Sequence, residues 1–141
     1  MPTLVDLLGD DTLGKHREDS RRPLNPAYRS AFEKIDADPN NELIVAEHRG
    51  QIVGMMQLTF IPYLTHIGSS RCLIEGVRVS DNHRRTGLGR TLIERAIARA
   101  REAGCRIVQL TTDKKRPDAL SFYTALGFSN THEGLKLQLK S

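Results

Sequence analysis

The chain lacks the residue types and the long apolar runs on which several classes of protein depend. Tryptophan is absent and aromatic residues make up 5% of the 141 residues, which is too few for the stacking platform of a single-strand nucleic-acid binder. No stretch approaches the ~20 apolar residues that cross a bilayer, and residues 1–11 lack the basic region and cleavage site of a signal peptide. We therefore expect a cytoplasmic protein that does not enter a membrane and has a single domain, residues 1–141.

Cysteine is equally scarce. Cys72 and Cys105 lack the paired spacing that binds zinc, and both lie in strand-like segments, so the sequence predicts two buried, reduced thiols. The five histidines are too scattered along the chain to form a metal site. We expect neither a disulfide nor a bound metal.

Glycine and arginine, in contrast, are concentrated in the run Arg84-Arg-Thr-Gly-Leu-Gly-Arg90. It lies between a strand-like segment, Leu73–Val79, and an amphipathic helix that begins near Leu88. The two glycines permit a sharp turn, and the start of a helix offers unpaired N–H groups and the positive end of its dipole. The run therefore predicts an anion-binding loop that suits a pyrophosphate.

The glycine spacing excludes two common nucleotide-binding loops. A dinucleotide fingerprint needs a third glycine where Leu92 stands, and no G-K-[ST] triplet of a P-loop occurs in the chain. The pattern that remains is R-x-x-G-x-G, formed by Arg84, Gly87 and Gly89. It resembles the acetyl-CoA pyrophosphate loop of the GNAT superfamily of N-acetyltransferases.

A second motif strengthens the resemblance. Residues 117–128 read Pro-Asp-Ala-Leu-Ser-Phe-Tyr-Thr-Ala-Leu-Gly-Phe, with Pro117 suited to a first helical position and Gly127 to a left-handed cap. The pattern A-x-x-F-Y-x-x-L-G-F resembles the closing helix of the same superfamily, at the expected distance after the loop. The resemblance covers roughly residues 41–139.

The alternation of patterns predicts an α/β domain with a mixed sheet flanked by helices, antiparallel at first and parallel around the cofactor. Helices are expected near Leu4–Leu8, from Pro26 after an Asn25 cap, at 88–103 and at 117–126. Strands are expected at 43–46, 52–60, 72–79, 105–111 and around the alternating Leu135, Leu137 and Leu139. A tight turn at Arg49-Gly50 should join the first two strands. GNAT proteins usually begin with a strand. Here either Thr3–Val5 forms a stub of it or that strand is missing, and a bare sheet edge would favour a homodimer.

The resemblance implies transfer of an acetyl group from acetyl-CoA to a primary amine, by direct attack in a ternary complex. A base must take a proton from the amine, and Glu75 is the candidate because it stands in an otherwise apolar strand ahead of the loop. Tyr123 matches the acid that protonates the leaving thiolate. Two other interpretations stay open: Glu75 lies on a solvent face or pairs with Arg71 or Arg78, and Tyr123 is a core tyrosine.

The same resemblance places the cofactor. Backbone groups of Val77, Arg78 and Val79 would pair with the pantetheine arm beside a bulge at Gly76. The pyrophosphate would meet the loop and first helical turn, which comprise Arg84, Arg85, Thr86, Gly87, Leu88, Gly89, Arg90 and Thr91. Candidate walls of the acceptor site are four polar loop residues: Tyr63, His66, His132 and Glu133.

Two other functions remain open at this stage. The net charge of +4 favours a polyanionic cofactor, and it also weakly indicates a nucleic-acid-binding regulatory module. A GNAT-like protein that binds acetyl-CoA only as a sensor is the third hypothesis. The retained Glu75 and Tyr123 favour the enzyme.

Overall fold

Four strands form one mixed sheet in a computed structural model that describes residues 2–9, 17–84 and 86–140. They are β1 (Asn41–His48), β2 (Gln51–Pro62), β3 (Ser70–Val79) and β4 (Ile107–Gln109), adjacent in that order. The first three are antiparallel, and β4 runs parallel to β3. This arrangement confirms the mixed sheet predicted from the sequence.

Among the described residues, four helices of seven residues or more accompany the sheet: α1 (Pro2–Leu8), α2 (Pro26–Ala37), α3 (Leu88–Glu102) and α4 (Pro117–Ala125). A short helical turn, Thr65–Gly68, lies between β2 and β3. Asn25 caps α2 as predicted, because its side chain accepts a hydrogen bond of 3.0 Å from the N–H of Ala27. The chain divides into two compact units, Met1–Gln109 and Leu110–Ser141. The larger contains the sheet and the first three helices, and the smaller contains α4.

The antiparallel hairpin of β1 and β2 closes through a two-residue turn. Arg49 and Gly50 both have positive φ values, 52° and 78°, which is the combination of a type I′ turn that matches the twist of its strands. The turn lies where the sequence predicted it, at Arg49-Gly50.

The two faces of the sheet are covered by different helices. On one face, Leu58 pairs with Ile74 and Phe60 with Cys72; these four side chains are buried, and α3 contacts both strands. The buried stripe of α3 consists of Leu92, Ile93, Ala96 and Ala100. On the other face, Met55 clusters with Leu4 and Leu7 of α1.

A bulge interrupts β3 at Gly76. Met55 pairs with Arg78 and Gln57 with Glu75, so β3 has one residue more than β2 over this interval. Gly76 has a φ of 63°, a left-handed value that glycine adopts without strain. The structure thus confirms the predicted bulge. The parallel ladder with β4 covers only Arg71–Leu73 and ends before Glu75.

Three predicted elements differ in the structure. The strand predicted at 105–111 is only Ile107–Gln109, and Thr3–Val5 lie in helix α1, so they supply no strand stub; β1 is the first strand among the described residues. The prediction of a strand around Leu135, Leu137 and Leu139 was wrong, since residues 128–138 carry no secondary structure. A strand needs a neighbouring strand to complete its hydrogen bonds, and an alternating pattern does not supply one.

Within residues 2–9, 17–84 and 86–140, no helix combines the length and the apolar character needed to cross a membrane.

The two cysteines are free thiols. Cys72 is buried, as predicted, whereas Cys105 is half-buried and precedes β4. Burial, reinforced by the neighbouring Cys105 and Glu42, raises the pKa of Cys72 to about 11, and burial also raises the pKa of Cys105. Both are therefore protonated at neutral pH.

The raised pKa of Cys72 predicts a loss of stability in alkali. Below pH 9.0, the ordinary pKa of the thiol, the stabilisation is complete; it is lost as pH rises toward 11 because the unfolded chain ionises first. The difference corresponds to about 2–3 kcal/mol. Urea unfolding between pH 8 and 11 should show a steeper decline for the wild type than for Cys72→Ala. Parallel declines would contradict the assignment.

Candidate functional site

The loop between β3 and α3 presents an open turn of backbone N–H groups. Gly87 caps α3 with a left-handed φ of 86°, and no atom lies within 4 Å of the position where a Cβ would stand. Its carbonyl accepts hydrogen bonds of 3.1 Å from both the N–H and the hydroxyl of Thr91. Among the residues that the structure describes, no side chain caps this end of the helix. The N–H groups of Leu88, Gly89 and Arg90 therefore have no acceptor within the helix and suit an anion.

A short 3-10 turn, Asp81–His83, precedes this loop and holds Arg84. The Nε of Arg84 donates to the carbonyl of Val79 at 3.2 Å, and its guanidinium forms an ion pair with Asp81. The imidazole Nδ1 of His83 lies 3.0 Å from the hydroxyl of Ser80. Asp81 was not singled out in the sequence; its spacing of three residues before Arg84, in a short turn, is the signal that would have found it.

The other predicted phosphate-binding side chains fall into three groups. Arg90 forms a 3.0 Å ion pair with Glu94 one turn along α3, and the hydroxyl of Thr91 is used inside the helix. Thr86 donates its hydroxyl hydrogen bond to the carbonyl of His83. Arg85 lies outside the described residues. The loop thus offers an anion its backbone N–H groups more directly than its side chains.

The side of β3 that faces away from β2 carries carbonyl groups at Val77 and Val79. The N–H of Ser80 donates to Val53 on β2 at 2.8 Å, so the groups one residue earlier point to the other side. There the carbonyl of Val77 accepts from Nη1 of Arg78 at 2.8 Å, and that of Val79 accepts from Arg84. These acceptors are bonded to flexible side chains, which an extended ligand with amide groups is able to displace.

Glu75 lies next to the bulge, on the sheet face of Met55 and directly opposite Gln57. Its side chain is exposed, so the apolar surroundings expected from the sequence do not enclose it. Arg71, one of its suggested partners, contacts Gln109 and Tyr63 instead. An exposed carboxylate here is open to a substrate and to water.

Tyr123 belongs to the smaller unit, where it is half-buried. Its ring makes edge contacts with Phe122 and Phe128, at centroid distances of 5.1 and 5.8 Å. The carbonyl of Tyr123 accepts from the N–H of Phe128 at 3.1 Å, and Gly127 has a φ of 102° where the helix ends. The predicted helix and its glycine cap are confirmed.

The acceptor-site candidates lie in two separate loops. Tyr63 is half-buried and His66 is exposed with a left-handed φ of 53°. His132 and Glu133, in the smaller unit, are exposed, and His132 Nδ1 lies 2.6 Å from the hydroxyl of Thr131. In the described part of the chain, no group of three or more His, Cys, Asp or Glu side chains is arranged to hold a metal ion.

Arg71 lies beside Tyr63, and the sequence did not single it out for binding. Its guanidinium carbon lies 4.5 Å from the centre of the Tyr63 ring, and its Nη1 donates to Oε1 of Gln109 at 3.0 Å. Its Nε is buried and has no hydrogen-bond partner among the described residues. The guanidinium as a whole is half-buried, and a planar cation of this kind suits an anionic substituent.

Comparison with known proteins agrees with this geometry. The model of the acetyltransferase (GNAT) family matches residues 4–128, which include the loop and the closing helix. The aminoalkylphosphonate N-acetyltransferase of Salmonella typhimurium is 33% identical over 109 residues, 75% of this chain and 68% of the relative.

Two solved structures are similar over nearly the whole chain. A transcriptional regulator from Bacillus halodurans C-125 is 53% identical, with a TM-score of 0.95 over 98% of this chain and 92% of that one. An acetyltransferase from Trypanosoma brucei is 29% identical, with a TM-score of 0.77 over 97% and 91%. The chain therefore belongs to the GNAT acetyltransferase family.

Proposed function

We propose that this protein transfers an acetyl group from acetyl-CoA to a primary amine. The observation that carries the proposal is the open turn at Gly87, where uncapped N–H groups of α3 lie next to Arg84. This arrangement suits a pyrophosphate. Membership of a family whose members use acetyl-CoA supports the same assignment.

In this proposal, acetyl-CoA binds along β3 and the loop that follows it. The pantetheine arm takes the place of the arginine side chains at the carbonyls of Val77 and Val79 and pairs with the strand as an added neighbour. The pyrophosphate lies against the backbone of residues 84–91. The thioester is then directed toward the bulge at Gly76.

The reaction needs one proton acceptor and one proton donor. An alkylamine with a pKa near ~10 arrives protonated, and Glu75, directly or through water, takes this proton. The freed lone pair attacks the thioester carbon, forming the C–N bond. When the C–S bond breaks, the electron pair leaves on sulfur, and Tyr123 donates a proton to the thiolate. The second proton that the nitrogen loses as the amide forms passes to the tyrosinate, directly or through water, and restores Tyr123.

The acceptor that we propose is an amine with an anionic substituent. The similarity to an aminoalkylphosphonate N-acetyltransferase suggests the class, and the half-buried cation of Arg71, beside Tyr63, is the group suited to its charge. Arginine binds oxyanions with paired donors in a plane. An acceptor without the anion would lose this contact.

A second candidate function follows from the 53% identity to a structure described as a transcriptional regulator. In that case the protein binds acetyl-CoA and acts as a sensor without turnover. Acetyl-CoA at 100 times its Kd stabilises a binder by about 2.7 kcal/mol, which raises the Tm by roughly 5 °C or more. This shift, with thiol release on addition of an aminoalkylphosphonate, indicates the enzyme; the shift alone indicates the sensor, and no shift overturns both.

The two glycines at the ends of α3 provide a matched test of the loop. Gly87 and Gly104 both have left-handed φ values, 86° and 79°, and neither has an atom within 4 Å of an added Cβ. Substitution by alanine should cost each about 1–2 kcal/mol of stability. Only Gly87→Ala should weaken acetyl-CoA binding, by about tenfold or more in calorimetry. Equal affinities of the two variants would contradict binding at the loop.

Removal of the proton-transfer groups should affect kcat more than the binding of acetyl-CoA. Glu75→Gln and Tyr123→Phe should each lower kcat by roughly 100- to 10,000-fold, measured as thiol release. Matched controls are Glu47→Gln, an exposed carboxylate on β1, and Tyr28→Phe, whose hydroxyl donates to Glu18 at 2.9 Å. These should retain full activity. A Glu75→Gln variant of unchanged kcat would remove Glu75 from the mechanism.

Arg71→Ala should separate two kinds of acceptor. The KM for an aminoalkylphosphonate should rise by roughly 10- to 100-fold, because a charge-assisted hydrogen bond is lost. The KM for an alkylamine of equal length without the phosphonate should not change. Arg106→Ala, an exposed arginine beside β4, serves as the control. An equal rise for both acceptors would show that Arg71 has only a structural role.

A further inference from the structure

Gln57 is a polar side chain on an inner strand of the sheet, next to Glu75. It lies directly opposite Glu75 in the register of β2 and β3, and because cross-strand partners point to the same face, the two side chains are adjacent. Met55, two residues earlier on this face, is buried against α1, whereas Gln57 is half-buried and Glu75 is exposed. The cover of α1 therefore ends before this pair, and both polar side chains are accessible from one side of the sheet.

A chain of hydrogen bonds holds the amide of Gln57. Its Nε2 donates to Oδ1 of Asn41 on β1 at 3.1 Å, and the hydroxyl of Thr59 donates to the same oxygen at 2.8 Å. Nδ2 of Asn41 donates in turn to Oδ2 of Asp38 at 2.9 Å. Asp38 lies at the C-terminal end of α2, and its Oδ1 accepts from the N–H of Asn40 at 2.8 Å. The amide is thus connected to the end of a helix.

The order of donors and acceptors in this chain determines the orientation of both amides. An ionised carboxylate only accepts hydrogen bonds, so Asn41 must turn its NH₂ group toward Asp38 and its oxygen toward β2. That oxygen also only accepts, so Gln57 must turn its own NH₂ group toward Asn41. The oxygen of Gln57, on the other branch of the amide, is left as an acceptor. None of the donors in the part of the chain that the structure describes is bonded to it.

Two oxygen acceptors therefore belong to adjacent side chains on this face: the carboxylate of Glu75 and Oε1 of Gln57. An alkylammonium group has several N–H donors on one atom and complements such a pair. The amide is neutral, so it adds an acceptor without the like-charge repulsion that a second carboxylate would impose on Glu75. The pair suits the nitrogen of an amine better than an anion or an apolar group.

We propose that Gln57 binds the nitrogen of the acceptor amine, and that Asn41 and Asp38 are positioning residues that orient the Gln57 amide. The inference rests on the proposed function, in which Glu75 takes a proton from the amine. The ammonium donates one hydrogen bond to Glu75 and another to Oε1 of Gln57. After the proton has moved to Glu75, the neutral amine retains two N–H groups, so one still donates to Gln57 while the lone pair turns toward the thioester carbon.

A matched pair of substitutions on β2 tests the role of Gln57. Gln57→Leu and Thr59→Val each remove one donor to the same oxygen of Asn41, but only the first removes the acceptor next to Glu75. The probes are aminopropylphosphonate and propylphosphonate, which lacks the nitrogen, titrated by NMR into the protein in the presence of CoA. Gln57→Leu should raise the Kd of the aminophosphonate by roughly 10- to 100-fold, because a hydrogen bond to a charged group is lost.

The controls separate binding of the nitrogen from upkeep of the sheet surface. The Kd of propylphosphonate should not change in Gln57→Leu, and Thr59→Val should change neither Kd. Equal losses in the two variants, or a loss for both ligands in Gln57→Leu, would show that the hydrogen-bond chain has only a structural role. An unchanged Kd of the aminophosphonate in Gln57→Leu would remove Gln57 from the site. Each of these results overturns the inference.

The titration needs no turnover, so its failure is distinct from failure of the proposed function. Thiol release by the wild type, together with an unchanged Kd in Gln57→Leu, overturns the role of Gln57 and leaves acetyl transfer in place. Nitrogen-dependent binding that requires Gln57, without thiol release, overturns acetyl transfer and supports the amine site.

A measurement on the wild type does not depend on how a variant folds. The carbonyl carbon resonance of a side-chain amide moves to higher frequency when its oxygen accepts a hydrogen bond. That of Gln57 should move on addition of aminopropylphosphonate and should not move with propylphosphonate. The resonance of Gln51, exposed at the start of β2, should move with neither ligand. A Gln57 resonance that does not respond to the amine would overturn the proposal.

Discussion

One extra residue on β3, between Glu75 and Arg78, determines which backbone groups point to the side of β3 that faces away from β2. Without it, the alternation along the strand would be reversed, and Arg78 rather than Val77 and Val79 would point its carbonyl away from β2. Gly76 supplies the necessary left-handed φ of 63°. The nearest atom to an added Cβ is Cδ2 of Leu8 at 3.9 Å, so conformational strain rather than crowding requires glycine there.

Several arginines of the described residues are paired with nearby carboxylates. Arg84 pairs with Asp81, Arg90 with Glu94, and Arg99 with Glu42 at 2.6 Å. The Glu42 hydrogen bonds raise the pKa of Arg99, and the pair connects β1 to α3. A basic surface for duplex binding needs arginines that reach phosphates. Several arginines here are paired with carboxylates, so the backbone N–H groups at the start of α3, after Gly87, are the main feature of the loop that attracts an anion.

Local signals in the sequence predicted much of the fold, and contacts between distant residues account for most of what was missed. The Asn25 cap, the Arg49-Gly50 turn and the Gly87 start of α3 each depend on a few adjacent residues. The pairs Arg99–Glu42 and Arg71–Gln109 join residues far apart in the chain, so no short pattern reveals them. The leucine alternation at 135–139 predicted a strand that the structure does not contain, because the neighbour that a strand needs is not encoded by that alternation.

Glu75 is exposed, so its proposed role as a base does not depend on the apolar surroundings that the sequence predicted. An amine with a pKa near ~10 is unprotonated in about one molecule per thousand at pH 7, so an acetyltransferase must dispose of a proton in nearly every turnover. In the proposed reaction, the exposed side chain of Glu75 gives that proton a direct path to bulk water. A protein that only senses acetyl-CoA has no proton to remove. The exposed carboxylate next to the bulge at Gly76 is therefore a feature that the proposed reaction uses and a sensor does not need.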